Sequence, residues 1–145
     1  MPNPIPAGFH SVTPYLLVSD VSKLMEFLTA ALGATERYKM PGPNGEVMHA
    51  EMQVGDSIVM MGRPQSEADL RRAMLYMYVP DVDATYQRCL AAGGISVREP
   101  KDEFYGDRSG MIRDPFGNDW GVATHVEDVS PEEMNRRMAA QRASA

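Results

Sequence analysis

The stretch Gly106-Asp107-Arg108-Ser109-Gly110-Met111-Ile112-Arg113-Asp114-Pro115-Phe116-Gly117-Asn118-Asp119-Trp120 reads as a strand, a tight turn and the start of a second strand. Asp114-Pro115 opens the turn, because proline fixes its own φ and pushes the preceding residue out of the helical region. Gly117-Asn118 closes it, since both residues tolerate positive φ. The predicted strands are residues 109–113 and 120–125.

Upstream of this hairpin lies a repeating order of elements. Residues 74–79 form a strand, and Asp81 caps a helix whose apolar face is Val82, Thr85, Tyr86, Cys89 and Leu90. Gly93-Gly94 ends that helix, residues 95–99 are a strand and residues 100–106 a loop. The first half reads alike. Residues 12–19 are a strand, with Pro14 favouring an edge position. Asp20 caps a helix with Val21, Leu24, Phe27, Leu28 and Ala31 on one face, and Gly33 stops it. Residues 35–40 are a strand, 41–45 a loop, and 47–54 pairs with 57–62 across Gly55-Asp56. Val18-Ser19-Asp20-Val21 recurs as Val79-Pro80-Asp81-Val82, and Gly33 recurs as Gly94 at the same offset.

The chain is therefore a single domain over residues 1–145, built from two βαβββ modules at 10–64 and 72–126. A polar linker joins them, and Ser130-Pro131-Glu132-Glu133 opens a C-terminal helix over 130–142. Met134 and Met138 share one face of that helix, which suits a lid or a dimer contact. The fold class is α+β. Each module alone leaves a sheet face uncovered, so the modules must pack together or against a second chain.

Bulk composition narrows the partners. A formal charge of −6 and a pI near 5.0 argue against nucleic acid and against an anionic membrane. The one cysteine, Cys89, allows no internal disulfide and fits a cytoplasmic location. No apolar run reaches the ~18 residues of a membrane span. The 12 methionines suit an adaptable core or pocket lining. A Ser-His-Asp signature, a phosphate loop and a glycine-rich dinucleotide fingerprint are all missing from the chain.

Paired βαβββ units with Asp114-Pro115-Phe116-Gly117-Asn118 in the last hairpin resemble the vicinal oxygen chelate superfamily, the glyoxalase/bleomycin resistance/dihydroxybiphenyl dioxygenase fold. The resemblance implies mixed sheets that curl around a cavity. Thr13-Pro14-Tyr15-Leu16, Met48-His49-Ala50-Glu51, Tyr105-Gly106-Asp107-Arg108 and Thr124-His125-Val126-Glu127-Asp128 resemble its PhnB-like branch. In metal-dependent members each module supplies two ligands. Carried over to this chain, those positions fall on Thr13, Met60, Met74 and Gly121. A hard or borderline divalent ion needs carboxylate or imidazole there, so the expectation is a protein without the usual metal.

Strand alternation across a two-residue Gly55-Asp56 turn puts His49, Glu51 and Gln53 on the cavity face with Met60. His49 and Glu51 suit a general base and its orienting carboxylate. Tyr15, Met60, Met74, Tyr76 and Tyr78 are expected to line the pocket. Tyr105 and Arg108 contribute from a loop, Arg108 either to an anionic ligand or in a salt bridge with Asp107. Trp120 and Cys89 read as core. Two functions follow. One is a homodimer that binds a small aromatic or amphipathic molecule, as the resemblance to bleomycin-resistance-like proteins permits. The other is a lyase, isomerase or dioxygenase that uses His49 and Glu51. That enzyme could instead use Zn, Fe or Mn in a displaced site drawn from His10, His49, His125, Glu51 and Glu127.

Overall fold

The computed structural model describes residues 1–145. The first module runs β1 (Tyr15–Leu17), α1 (Val21–Leu32), β2 (Thr35–Pro41), β3 (Val47–Val54) and β4 (Ser57–Gly62). The second runs β5 (Met74–Tyr78), α2 (Val82–Ala91), β6 (Ile95–Asp102), β7 (Asp107–Arg113) and β8 (Asp119–His125), and α3 (Pro131–Ser144) follows. The two caps do the same work in both halves. The Asp20 carboxylate accepts from Lys23 N–H at 3.1 Å and that of Asp81 from Ala84 N–H at 3.1 Å, each taking up an otherwise orphaned helix donor.

Each module makes one four-stranded sheet, ordered β1-β4-β3-β2 and β5-β8-β7-β6. β1 pairs with β4, and β5 with β8, in parallel, while the other pairs are antiparallel. The Gly55-Asp56 turn sets the expected register, Glu51 opposite Met60 and His49 opposite Gly62. Some boundaries differ from the sequence reading. β1 shrinks to three residues, because Val12 is almost fully exposed and nothing pairs with it. Pro14 sits just before this edge strand, where its missing N–H costs nothing and its carbonyl accepts from Met60 N–H. β6 runs on through Pro100 to Asp102, with register shifts that absorb the proline. No helix is long and apolar enough to cross a membrane.

In the decisive hairpin Gly117 alone takes positive φ, at +86°, and Asn118 does not. Asn118 works through its side chain instead, accepting from Ala73 N–H at 2.9 Å and so tying the turn to the start of β5. Asp114, only 2 % exposed, accepts from Phe116 N–H, Asn118 N–H, Asn118 Nδ2 and the Trp120 indole N–H. Trp120 is core, as its strand parity predicts.

One core serves both modules. It joins Leu16, Leu24, Leu28, Met52 and Met61 of the first to Tyr86, Cys89, Ile112 and Trp120 of the second. The α1 and α2 helices meet at its centre, where Arg88 Nε reaches the carbonyl of Ala31 at 3.5 Å. Burial at that site pushes the Cys89 thiol up to about 11, which makes it an inert structural thiol. Because the modules join through their helix sides, the opposite face of each sheet is left open. Tyr15, Tyr38, Met40, Met74, Tyr76 and Tyr78 stand exposed on these faces. The sheets therefore do not close around a cavity within one chain, which corrects that part of the sequence expectation.

Candidate functional site

Each open sheet face carries its own polar cluster. On the first, β3 alternation sends Ala50, Met52 and Val54 into the core and leaves His49, Glu51 and Gln53 on the other side. Tyr15 OH bonds His49 Nδ1 at 3.0 Å, and His49 Nε2 lies 3.2 Å from Glu51 Oε2. Tyr38 adds an aromatic wall, its ring centroid 6.3 Å from that of His49. Met60 stands across from both Tyr15 and Glu51 in the strand pairing. The His-Glu pair read from the sequence is thus formed, and Tyr15 extends it.

The second face is centred on Asp107, which the sequence reading paired with Arg108. Asp107 is 3 % exposed. Its Oδ2 accepts from Tyr76 OH at 2.9 Å and from Tyr78 OH at 3.0 Å, while its Oδ1 lies 2.9 Å from His125 Nδ1. The tyrosine rings meet edge to face at 5.4 Å. Arg108 points the other way. It holds Asp83 of α2 through two bonds of 2.8 and 2.9 Å and Asp102 of β6 at 3.2 Å. Those carboxylates hold its guanidinium further above the usual arginine range. This corrects the bridge to Asp107 expected of Arg108. The loop ends at Gly106, so Asp107 and Arg108 are the first two residues of β7 and must face opposite sides. The missed signal was the hairpin register, which, counted back from the Asp114 turn, sets Asp107 opposite His125.

Tyr76 in the second module stands where Tyr15 stands in the first. Each faces outward from the short parallel strand, Tyr15 paired with Met60 and Tyr76 with Gly121. Tyr105 lies close enough to Tyr76 to interact with its hydroxyl. Burial first, and the neighbouring Tyr105 and Asp107 after it, raise the Tyr76 hydroxyl well above the ordinary phenol range. A cavity of about 410 Å³ opens at the free edge of β5, between Tyr76 and Tyr78 and the Gly55-Asp56 turn. Tyr15, Met60 and Met74 are not among its walls.

The four positions that the resemblance marks for metal do not fit one. Thr13 Oγ1 is engaged with the His10 carbonyl at 3.3 Å, and Met60 and Met74 offer only thioethers. At Gly121 a Cβ would meet Tyr76 Cδ2 at 2.8 Å, so the tyrosine ring fills the ligand's place. The residues of the displaced site do not converge either. His49 binds Glu51, His125 binds Asp107 and Asp128, and Glu127 is held by Arg137 at 2.6 and 2.9 Å.

His125 also fixes a pH dependence. Its Nε2 lies 2.7 Å from Asp128 Oδ1. Asp128 first, then Asp107, raise the imidazole above its ordinary 6.5. Burial opposes the charge on Asp107, but His125 and the two tyrosines outweigh it and hold the carboxyl below 3.8. The His125 contribution to stability is thus complete below the unfolded value near 6.5 and fades as pH rises through the higher folded value. That of Asp107 is present above 3.8 and is lost as pH falls through its lower folded value. Melting curves of the parent and His125→Gln should show an advantage for the parent at about pH 5.5 that shrinks by about pH 9. A gap that widened with pH would refute the assignment.

The family model described as Glyoxalase/Bleomycin resistance protein/Dioxygenase superfamily matches residues 8–122. An uncharacterized protein of Mycobacterium bovis is 31% identical over 142 residues, spanning 90% of this chain and 93% of its own length. An uncharacterized protein of Mycobacterium tuberculosis matches at the same identity, over 90% of this chain and 84% of its own. Among solved structures, TioX from Micromonospora sp. ML1 superposes with a TM-score of 0.70 at 24% identity, over 81% of this chain and 99% of that one. A glyoxalase-related enzyme from Fulvimarina pelagi gives 0.64 at 19% identity, over 79% and 87%. At these identities the structural likeness speaks for the fold alone.

Proposed function

The chain belongs to the glyoxalase/bleomycin resistance protein/dioxygenase superfamily, and from that premise we propose that it binds a small aromatic or amphipathic molecule, without the metal usual in the superfamily, on sheet faces completed by a second copy of itself. The observation that carries this reading is the pair of bare sheet faces. Tyr15, Tyr76 and Tyr78 are 42–60% exposed and Met74 is 62% exposed, in a chain whose remaining core is well closed. Apolar and aromatic surface of this kind, rimmed by a few polar groups, is what a ligand-binding groove or a subunit interface presents. Met and Tyr walls adapt to irregular ligands, and His49 and Glu51 supply directional contacts. In the homodimer, the first-module face of one copy meets the second-module face of the other. The proposed ligand contacts are Tyr15, Met60, Met74, Tyr76, Tyr78 and Tyr105. The kinship extends to the PhnB-like branch on the motifs quoted above, and a single, buried cysteine agrees with work in the cytoplasm.

A second reading has its own support. The Tyr15–His49–Glu51 chain has the geometry of a general base with its orienting carboxylate, as an enzyme of the superfamily acting on a C–H or O–H acid would need. Glu51→Gln separates the two. Under the enzyme reading turnover of a substrate falls ~100-fold or more, whereas under the binding reading only affinity changes. Sedimentation at rising concentration tests the assembly, with a chain that stays monomeric refuting the shared site.

A further inference from the structure

The ring nitrogens of His125 both face carboxylates, Nδ1 at 2.9 Å from Asp107 and Nε2 at 2.7 Å from Asp128. Ionised carboxylates only accept hydrogen bonds, so this ring carries two N–H groups and a positive charge. Its two partners differ in kind. Asp107 is buried and locked by Tyr76 and Tyr78 as well. Asp128 is a fully exposed side chain on the segment between β8 and α3, with no bond other than the one to His125. One carboxylate is thus part of the scaffold, and the other is an occupant that can leave.

We propose that His125 Nε2 is a receptor for the carboxylate of an aromatic acid, and that Asp128 fills this receptor when no ligand is bound. The inference rests on the aromatic-face reading above and deepens it by naming the ligand class. Tyr76, Tyr78 and His125 all bond the two oxygens of one carboxylate, so an imidazolium donor and two exposed phenol rings are grouped around a single anchor. The tyrosine hydroxyls are spent on Asp107 and offer a ligand their rings. His125 offers charge. A charge-assisted N–H···O bond from a preorganised imidazolium, beside an aromatic wall, selects a molecule with a carboxylate attached to a ring. The Asp107 charge next to it is already paired with the imidazolium and hydrogen-bonded by both tyrosine hydroxyls. Arg98 on this sheet is consumed by Glu103 and by Ser109, so it does not compete for the anion.

Binding of benzoate, benzyl alcohol and acetate to the full chain at about pH 7, followed by NMR of the His125 ring and the Tyr76 and Tyr78 rings, tests the proposal. Benzoate should shift the His125 resonances saturably and bind more tightly than benzyl alcohol or acetate. Asp128→Asn should tighten benzoate by up to about fivefold, the most that displacing an exposed ion pair costs a ligand, and should leave benzyl alcohol unchanged. His125→Gln should erase the advantage of benzoate over benzyl alcohol. Asp128 is a surface residue, so its variant remains informative even where the His125 variant is unstable. Benzyl alcohol binding with no gain for benzoate in Asp128→Asn overturns the carboxylate receptor and leaves the aromatic face standing. Failure of both aromatic probes to perturb the tyrosine rings overturns the aromatic face, and the receptor with it.

Discussion

Replacing Asp114 with alanine is expected to destabilise the protein by about 3–4 kcal/mol, more than most single side chains in the chain. Asp114 is buried and accepts four bonds, two from backbone N–H groups of its own turn and two from the side chains of Asn118 and Trp120. Bonds to a charged acceptor are worth about 1.5–3 kcal/mol each, and the loss leaves buried donors without partners. The damage spreads, because Asn118 in turn holds the start of β5 through Ala73, and Trp120 is part of the shared core. Urea unfolding measures the loss. Asp114→Asn should recover part of it, since one oxygen survives while the new amide faces donors. An alanine variant within about 1 kcal/mol of the parent would refute this account of the turn.

Gly106→Ala should be nearly as damaging, at about 2–4 kcal/mol, and its effect should be local first. Gly106 has φ +98°, where an L side chain is strained. A Cβ there would also collide with the carbonyl oxygen of Glu127. That contact is the clasp of the C-terminal segment, because the Gly106 carbonyl accepts from both Val126 N–H and Glu127 N–H, at 2.9 and 3.0 Å. Glu127 then holds Arg137 of α3, which buries no residue fully and is otherwise tied through the Arg137 bond to the Phe104 carbonyl at 3.1 Å. Hydrogen exchange should show α3 losing protection before the sheets do. A Gly106→Ala chain with α3 as protected as in the parent would show that the clasp does not hold the helix.

Much of the fold was legible along the chain because it rests on local chemistry. Asp20 and Asp81 cap as their short carboxylates must, and a two-residue turn at Gly55-Asp56 leaves only one register for β3 and β4. From that register the His49–Glu51 pair follows, since alternation puts residues two apart on one face. The second polar cluster was hidden by a strand start placed two residues late, at Ser109 instead of Asp107. With Asp107 and Arg108 both left outside the strand, nothing fixes which way either points, and each reads as the other's partner. As the first residue of β7, Asp107 faces away from Arg108, and two other strands, β5 with Tyr76 and Tyr78 and β8 with His125, bring it its partners.

The sequence by itself determined the elements, the caps, the turns and the strand face that His49, Glu51 and Gln53 share. All of these depend on residues within one or two turns of each other, where backbone geometry leaves few choices. Only the tertiary structure decided that the modules join through α1 and α2, so that both sheet faces stay open and Tyr15 and Tyr76 serve separate clusters. That choice lies between two ways of covering the same apolar surface. Helix against helix and sheet against sheet bury similar side chains, so periodicity cannot rank them. The packing of Leu24, Leu28, Tyr86 and Cys89 into one core does.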